Sequence, residues 1–286
     1  ENDNGQAGFQ QLPEWAHQTQ AFNAACHQHG FMLAMHMGAG KSKVAIDLIL
    51  SREHRLVLIL CPLSVVPVWK KQLELHAPPG SYRLLLLHEH SVAGKQSACE
   101  HFVRHAAGDV RSSIIVCNYE SAWRKPLGPY LLTLAPQAPA LHMPPPKQLL
   151  DLLICDEIHR LKSFRGRASM FAAHLAKGIP YRLGLTGTPM PHDPLDIFAQ
   201  YRVLDPRVFG TNYYAFRGRY AIMGGFEQKQ VIGFKNKEEL EAKFRSICYQ
   251  AGPDVLDLPG AMHEIISCRL GARAQVIYHT LQQRLV

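Results

Sequence analysis

The chain has 286 residues and a formal net charge of +8, with 47% hydrophobic and 19% charged residues. That balance describes a soluble globular protein, not a disordered one. No apolar run reaches membrane-span length and the N-terminus is polar and acidic, so neither a membrane protein nor a secretory leader is expected.

Residues 1–12 are polar, and residues 14–29 have helical spacing with Trp15, Phe22 and Ala25 as buried positions. Phe31-Met32-Leu33-Ala34 then reads as a buried strand, and residues 44–50 read as a helix. Between them lies Met35-His36-Met37-Gly38-Ala39-Gly40-Lys41-Ser42. Strand, glycine turn and helix form the setting of a phosphate-binding loop. The glycines let successive backbone N–H groups curl around an anion, and the helix N-terminus adds partial positive charge there. Lys41 is placed to meet the β- and γ-phosphates, and the Ser42 hydroxyl to ligate Mg²⁺. The plainer alternative is a turn that merely joins two elements, and the strict pattern carries a glycine where Met35 stands.

Apolar runs of strand length recur at 31–36, 56–61, 83–87, 113–117, 151–155 and 181–185, with helical segments such as 64–76, 94–107 and 166–177 between them. This alternation predicts an α/β fold, a parallel sheet with helices on both faces, whose ligands bind at the carboxyl ends of the strands. Residues 126–147 are proline-rich and predict a loop or insertion without chemistry. Between residues 160 and 182 stand six basic residues and no acid. Residues 201–219 are aromatic and basic, Gly224-Gly225 is a turn, and residues 236–249 are spaced as an amphipathic helix. A strand pattern follows over 263–270 and a helix over 272–285. The expected organisation is a sheet domain over 1–200, a small, mainly helical appendage over 201–262, and a returning strand and helix over 263–286.

Leu152-Leu153-Ile154-Cys155-Asp156-Glu157-Ile158-His159 is a buried strand ending in two carboxylates. Adjacent acids at a strand end are costly without a partner. Beside a phosphate loop that partner is Mg²⁺, held by Asp156, with Glu157 as the general base that activates water. An acidic turn capping the next helix is the simpler reading of this stretch alone. Leu185-Thr186-Gly187-Thr188-Pro189 ends a third strand, and its hydroxyls could relay the state of the γ-phosphate. The seven cysteines, at 26, 61, 99, 117, 155, 248 and 268, form no CxxC pair and predict a reducing compartment, cytoplasmic or nuclear. Cys99, His101 and His105 do not complete a zinc set.

In this order the motifs resemble the first, RecA-like ATPase lobe of a superfamily 2 helicase, within it the Swi2/Snf2 family of DNA translocases. Met37 to Ser42 resembles motif I, and Cys61-Pro62-Leu63-Ser64-Val65-Val66 with Trp69 resembles motif Ia. Val116-Cys117-Asn118-Tyr119-Glu120 resembles motif Ib, Asp156-Glu157-Ile158-His159 the DEAH-type motif II, and Leu185 to Pro189 motif III. Asp196 to Tyr201, Leu258-Pro259-Gly260 and the spacing of Gln275 and Tyr278 are similar to the Snf2-specific continuation.

The resemblance implies an ATPase with ATP and Mg²⁺ as cofactors. It implies Gln18 as the adenine-reading residue, Gly38, Ala39, Gly40, Lys41 and Ser42 as the phosphate cradle, and His159, Thr186 and Thr188 as coupling residues. With the basic charge, it implies sequence-independent contact with double-stranded DNA through Ser64, Lys70, Asn118, Arg124, Lys162 and Arg165. The aromatic run at 213–220 could stack bases, though packing of the appendage is the stronger expectation. Three departures stand out. The family usually has acids where Met35 and His36 stand, and a small residue in place of Ile158. Nothing matches the arginine fingers of a second RecA-like lobe, which would lie C-terminal to this chain, so slow hydrolysis by this chain alone is expected. The rival readings are a non-catalytic ATP- or DNA-binding regulatory module and the motor lobe of a restriction-type superfamily 2 enzyme.

Overall fold

A computed structural model describes residues 15–52, 54–106, 111–135, 150–228, 230–256, 264, 266–267 and 269–284. The chain divides into two units, residues 1–256 and 257–286. The first begins with α1 (Ala16–Ala25), β1 (Gly30–Met35), α2 (Lys41–Ser51), β2 (Leu56–Cys61), α3 (Val66–His76), β3 (Tyr82–Leu86) and α4 (Val92–Ala106). It continues with β4 (Ser112–Asn118), α5 (Tyr119–Ala122), α6 (Leu127–Leu134), β5 (Leu152–Asp156), α7 (Arg167–Ala176) and β6 (Tyr181–Thr186). Then come α8 (Ile197–Leu204), α9 (Pro206–Phe209), α10 (Tyr213–Tyr220), β7 (Ala221–Gly224), β8 (Gln230–Phe234), α11 (Lys237–Arg245) and β9 (Cys248–Ala251). The second unit holds α12 (Ala272–Arg284).

Seven strands form one parallel sheet in the order β3-β4-β2-β5-β6-β1-β9. Every residue of β1, β2, β4 and β5 is buried. Strands covered on both faces must be apolar throughout, which is why these four read as unbroken runs. The edge strand β3 is only half-buried. Helix α2 covers the sheet with Val44, Ala45, Ile46, Leu48 and Ile49, and α3 with Val66, Trp69 and Leu73. Parallel strands share one carboxyl edge, and this order sets β6 between β1 and β5. The loops that follow β1, β6 and β5 therefore lie side by side.

Three expectations change, and a fourth falls partly outside the described residues. The proline-rich stretch contains a helix, α6, because Leu127, Leu131 and Leu134 face the core and Pro129 falls within the first turn, where its missing N–H costs little. The rest of that stretch, 136–149, lies outside the described residues. The helix expected over 236–249 ends at Arg245, and Cys248–Ala251 pairs with β1 as the seventh strand. Residues 201–256 are mainly helical, but they also contain the antiparallel hairpin β7–β8. The described residues within 263–270 carry no strand, and Leu258-Pro259-Gly260 lies outside the described residues.

The departure at Ile158 is met from the neighbouring strand. Ile158 is fully buried, and a Cβ on Gly184 of β6 would stand 2.8 Å from its Cδ1. A glycine opposite makes room for the larger side chain. Gly184→Leu is therefore expected to destabilise the protein by about 1–3 kcal/mol through overpacking. Adding Ile158→Ala should recover part of the loss in urea melts. Strict additivity of the two changes would show that the residues do not share this space.

Candidate active site

Strand β1 delivers the chain to the carboxyl edge of the sheet, where residues 36–40 turn into α2. Gly38 and Gly40 have φ of 83° and 85°, a left-handed conformation in which a side chain is strained. At Gly40, the N-cap of α2, a Cβ would also meet the Gln18 Nε2 at 2.1 Å. Helix α1 is latched to this turn through one carbonyl. The Ala39 oxygen lies 2.8 Å from His17 Nε2 and accepts from Gln18 Nε2 at 3.4 Å. Lys41 Nζ donates to the carbonyls of Met35 (2.8 Å) and His36 (3.1 Å). Both are main-chain acceptors, so the lysine is seated without acidic side chains at 35 and 36. Burial lowers the Lys41 pKa, against the opposing charges of Glu157 and Asp156.

Strand β5 ends in Asp156, which is held on both sides. The Trp69 indole of α3 donates to its Oδ2 at 3.0 Å, and the Tyr119 hydroxyl donates to its main-chain carbonyl at 2.9 Å. Glu157 follows with φ of 52°, an uncommon conformation for a side-chain-bearing residue, and it turns the second carboxylate out of the strand. The two acids are driven apart in acidity. Burial, then the charge of Glu157, raises Asp156 to about 6 against the Trp69 hydrogen bond. Glu157 is lowered, first by its hydrogen bond with His159. His159 Nδ1 lies 3.2 Å from Glu157 Oε2 and 3.0 Å from Thr186 Oγ1, which also accepts from Thr188 N at 3.0 Å. The end of β5 is thus wired to the turn after β6.

The raised carboxyl has a consequence for stability. Its folded pKa of about 6 exceeds the ordinary aspartate value of 3.8, so Asp156 contributes most at acid pH and its contribution is lost as pH rises through 6. Glu157 acts in the opposite sense, at lower pH, because its folded pKa is depressed. With divalent cations chelated, Asp156 is expected to cost about 1–2 kcal/mol between pH 5 and 7.5. Asp156→Asn should flatten that part of the pH–stability curve in urea melts. An unchanged slope would show that the carboxyl is not desolvated.

Gln18, Gly38, Gly40, Lys41, Ser42, Asp156 and Glu157 line one cleft of about 690 Å³, with Trp15 and, from the α3 side, Val65, Val68, Gln72 and His76. The residues suit the groups the sequence implies. The positive-φ glycines and the free N–H groups at the start of α2 form an anion cradle with Lys41 beside it. The Ser42 hydroxyl and the Asp156 carboxylate are hard oxygen donors in the same cleft, fitting Mg²⁺, which takes few protein ligands. Among the described residues no group of three or more His, Cys, Asp or Glu is placed to hold a metal ion. Sequence reasoning missed the roles of Trp69 and Tyr119 as supports of Asp156.

The residues expected at DNA lie outside this cleft. Ser64 is exposed in the turn after β2. Asn118 ends β4, is buried, and donates to Glu120 Oε2 at 3.0 Å. Arg124 is exposed with its guanidinium 5.3 Å from the Trp123 ring centre. Lys162 and Arg165 follow the turn after β5, and Arg165 donates to the Tyr214 hydroxyl. These five share the carboxyl edge of β2, β4 and β5. Lys70 does not join them: it is paired with Glu74 at 3.9 Å on the face of α3 turned away from the cleft. Tyr213, Phe216 and Tyr220 of the aromatic run pack inward, whereas Tyr214 is 51% exposed.

A family model described as the SNF2-related domain matches residues 15–286. A Caenorhabditis elegans protein named SWI/SNF-related matrix-associated actin-dependent regulator of chromatin subfamily A-like protein 1 homolog is 31% identical over 246 residues, 82% of this chain and 31% of its own length. The DNA repair and recombination protein RAD54 of Oryza sativa is 26% identical over 268 residues, 87% of this chain and 25% of its own. The chain thus spans a third or less of these relatives. The solved Sulfolobus solfataricus SWI2/SNF2 ATPase core in complex with dsDNA superposes with a TM-score of 0.62 at 20% identity, over 97% of this chain and 53% of that one.

Proposed function

The chain belongs to the SNF2-related family, and on that premise we propose that its cleft binds ATP with Mg²⁺ and hydrolyses it to ADP and phosphate to drive movement along duplex DNA. The observation that carries the proposal is the convergence of Lys41, Ser42, Asp156 and Glu157 in one cleft, from the loops after β1 and β5. The N–H groups of Gly38, Gly40, Lys41 and Ser42 cradle the phosphates, while that of Ala39 is held by the His36 carbonyl within the turn, and Lys41 places its ammonium against the β- and γ-phosphate oxygens. Ser42 and Asp156 would hold Mg²⁺, which would supply charge neutralisation at the phosphates. Glu157, kept ionised by His159, takes the proton of the attacking water. Thr186 and Thr188 receive the change through His159. Duplex DNA as the partner is supported by the relatives' names, by the solved relative that carries dsDNA, and by the basic charge of this chain. The described cysteines are free thiols, four of them buried, which suits a reducing compartment, cytoplasmic or nuclear.

Among the described residues no arginine lines the cleft. An arginine on the transferring phosphoryl group can be worth about 10³–10⁵ in rate. We therefore propose that these 286 residues bind ATP but turn it over slowly, and that a second RecA-like lobe supplies the missing cation. The test is ATP binding and hydrolysis by this chain, with and without duplex DNA. Binding with slow turnover is expected. Fast, DNA-stimulated turnover would show that the site is complete without a second lobe. Absence of ATP binding would overturn the reading.

A further inference from the structure

Beyond the cleft, arginines and aromatic rings alternate across one face. The Trp123 ring carries Arg124 at 5.3 Å and Arg167 at 5.2 Å. The Tyr214 ring carries Arg165 at 5.8 Å and Arg217 at 5.3 Å. Arg165 and Arg167 stand on either side of Gly166, so the two stacks meet there. The stripe is assembled from three places: the segment after α5, the start of α7, and α10.

Packing does not account for it. On α10, Phe216 and Tyr220 are buried, but Tyr214 remains 51% exposed. Ion pairing does not account for it either. Arg160, Arg207 and Arg219 pair with Glu120, Asp205 and Glu239 at 3.7, 2.7 and 2.6 Å. Among the described residues none of Arg124, Arg165, Arg167 and Arg217 has such a partner. Asp193 and Asp196, which act on neighbouring Tyr213, accept from the main chain at Leu195 N and His192 N, and Glu120, one turn before Arg124, is taken by Asn118 and Arg160. Arg165 also donates to the Tyr214 hydroxyl, which helps to hold it in place; a planar guanidinium set beside a ring keeps further N–H donors that can take a phosphate with two hydrogen bonds.

We infer that this stripe is a track for the backbone phosphates of duplex DNA, with Trp123, Arg167, Tyr214 and Arg217 as contacts additional to those the motifs suggest. The inference rests on the proposal that the chain engages duplex DNA. It favours DNA over an acidic polypeptide because the cations are planar guanidiniums set beside rings, whose N–H forks match phosphate oxygens.

The experiment measures affinity for a fluorescent duplex from 50 to 200 mM salt, for the wild type, Arg167→Gln, Arg217→Gln and the double variant. Each arginine removed should lower the slope of log affinity against log salt by about 1, so the affinity drop across this range shrinks about fourfold per residue. ATP binding and thermal melting should be unchanged, because none of these residues lines the cleft. A wild-type chain that binds duplex DNA with the same slope as the double variant would overturn the stripe alone. A wild-type chain that binds ATP but no duplex would overturn the DNA reading beneath it. Selective loss of poly-glutamate binding in the variants would assign the stripe to an acidic protein and overturn it as well.

Discussion

Glu157→Gln is expected to abolish hydrolysis and to leave ATP binding intact. Glutamine keeps the shape of the side chain and can still hydrogen-bond His159, but it cannot accept a proton. Glu157 sits at φ 52°, a conformation set by the turn after β5 rather than by the carboxylate charge, so the backbone should hold. Loss of a positioned general base costs about 10²–10⁴-fold in rate. Single-turnover hydrolysis of radiolabelled ATP reads the chemical step even where overall turnover is slow, and a fluorescent analogue reads binding. Hydrolysis within about tenfold of the wild type would remove Glu157 from the role of base. The variant should also trap the ATP-bound state, so it is suited to measuring how that state alters DNA affinity.

Legibility in the sequence followed the length of the apolar run, which even half-buried β3 carries. Strands β1, β2, β4 and β5 were visible because two covered faces permit only apolar residues. Strand β9 was not. Cys248–Ala251 has four residues, is mostly half-exposed, and lies at the sheet edge beside β1, so it carries no run. What makes it a strand is pairing with residues more than 200 positions earlier, a tertiary fact. Helix α6 had a signal, Leu127, Leu131 and Leu134 at helical spacing, but the surrounding prolines outweighed it.

The site divides in the same way. Lys41, Ser42, Asp156 and Glu157 are neighbours in sequence within two motifs, and the parallel topology brings the two loops to one cleft. The supports of Asp156 come from afar: Trp69 is 87 residues away and Tyr119 is 37. A buried tryptophan on an amphipathic helix reads as core, and only the fold shows its indole against a carboxylate. The same holds for Gly184, which reads as a weak point in a strand until Ile158 is seen to fill its space.

Lys41→Ala is expected to lose both ATP binding and hydrolysis. Its ammonium is half-buried, seated on the Met35 and His36 carbonyls and flanked by the charges of Glu157 and Asp156. The seat keeps the lysine extended toward the cleft, where its remaining donor can meet phosphate. Hydrogen bonds to charged groups are worth about 1.5–3 kcal/mol each, so affinity should fall roughly 10- to 100-fold. Loss of a pre-organised donor to the developing charge adds about 10²–10³ in rate. The substitution also removes the cation that moderates the two acids. Asp156 should then hold its proton to a higher pH than in the wild type, because Lys41 is among the groups that lower its pKa. ATP affinity separates a phosphate-binding lysine from a merely structural one. A structural lysine would change melting but leave ATP affinity alone. A lysine with the proposed role would reduce ATP affinity at every pH, and the pH at which the variant's stability declines would move upward.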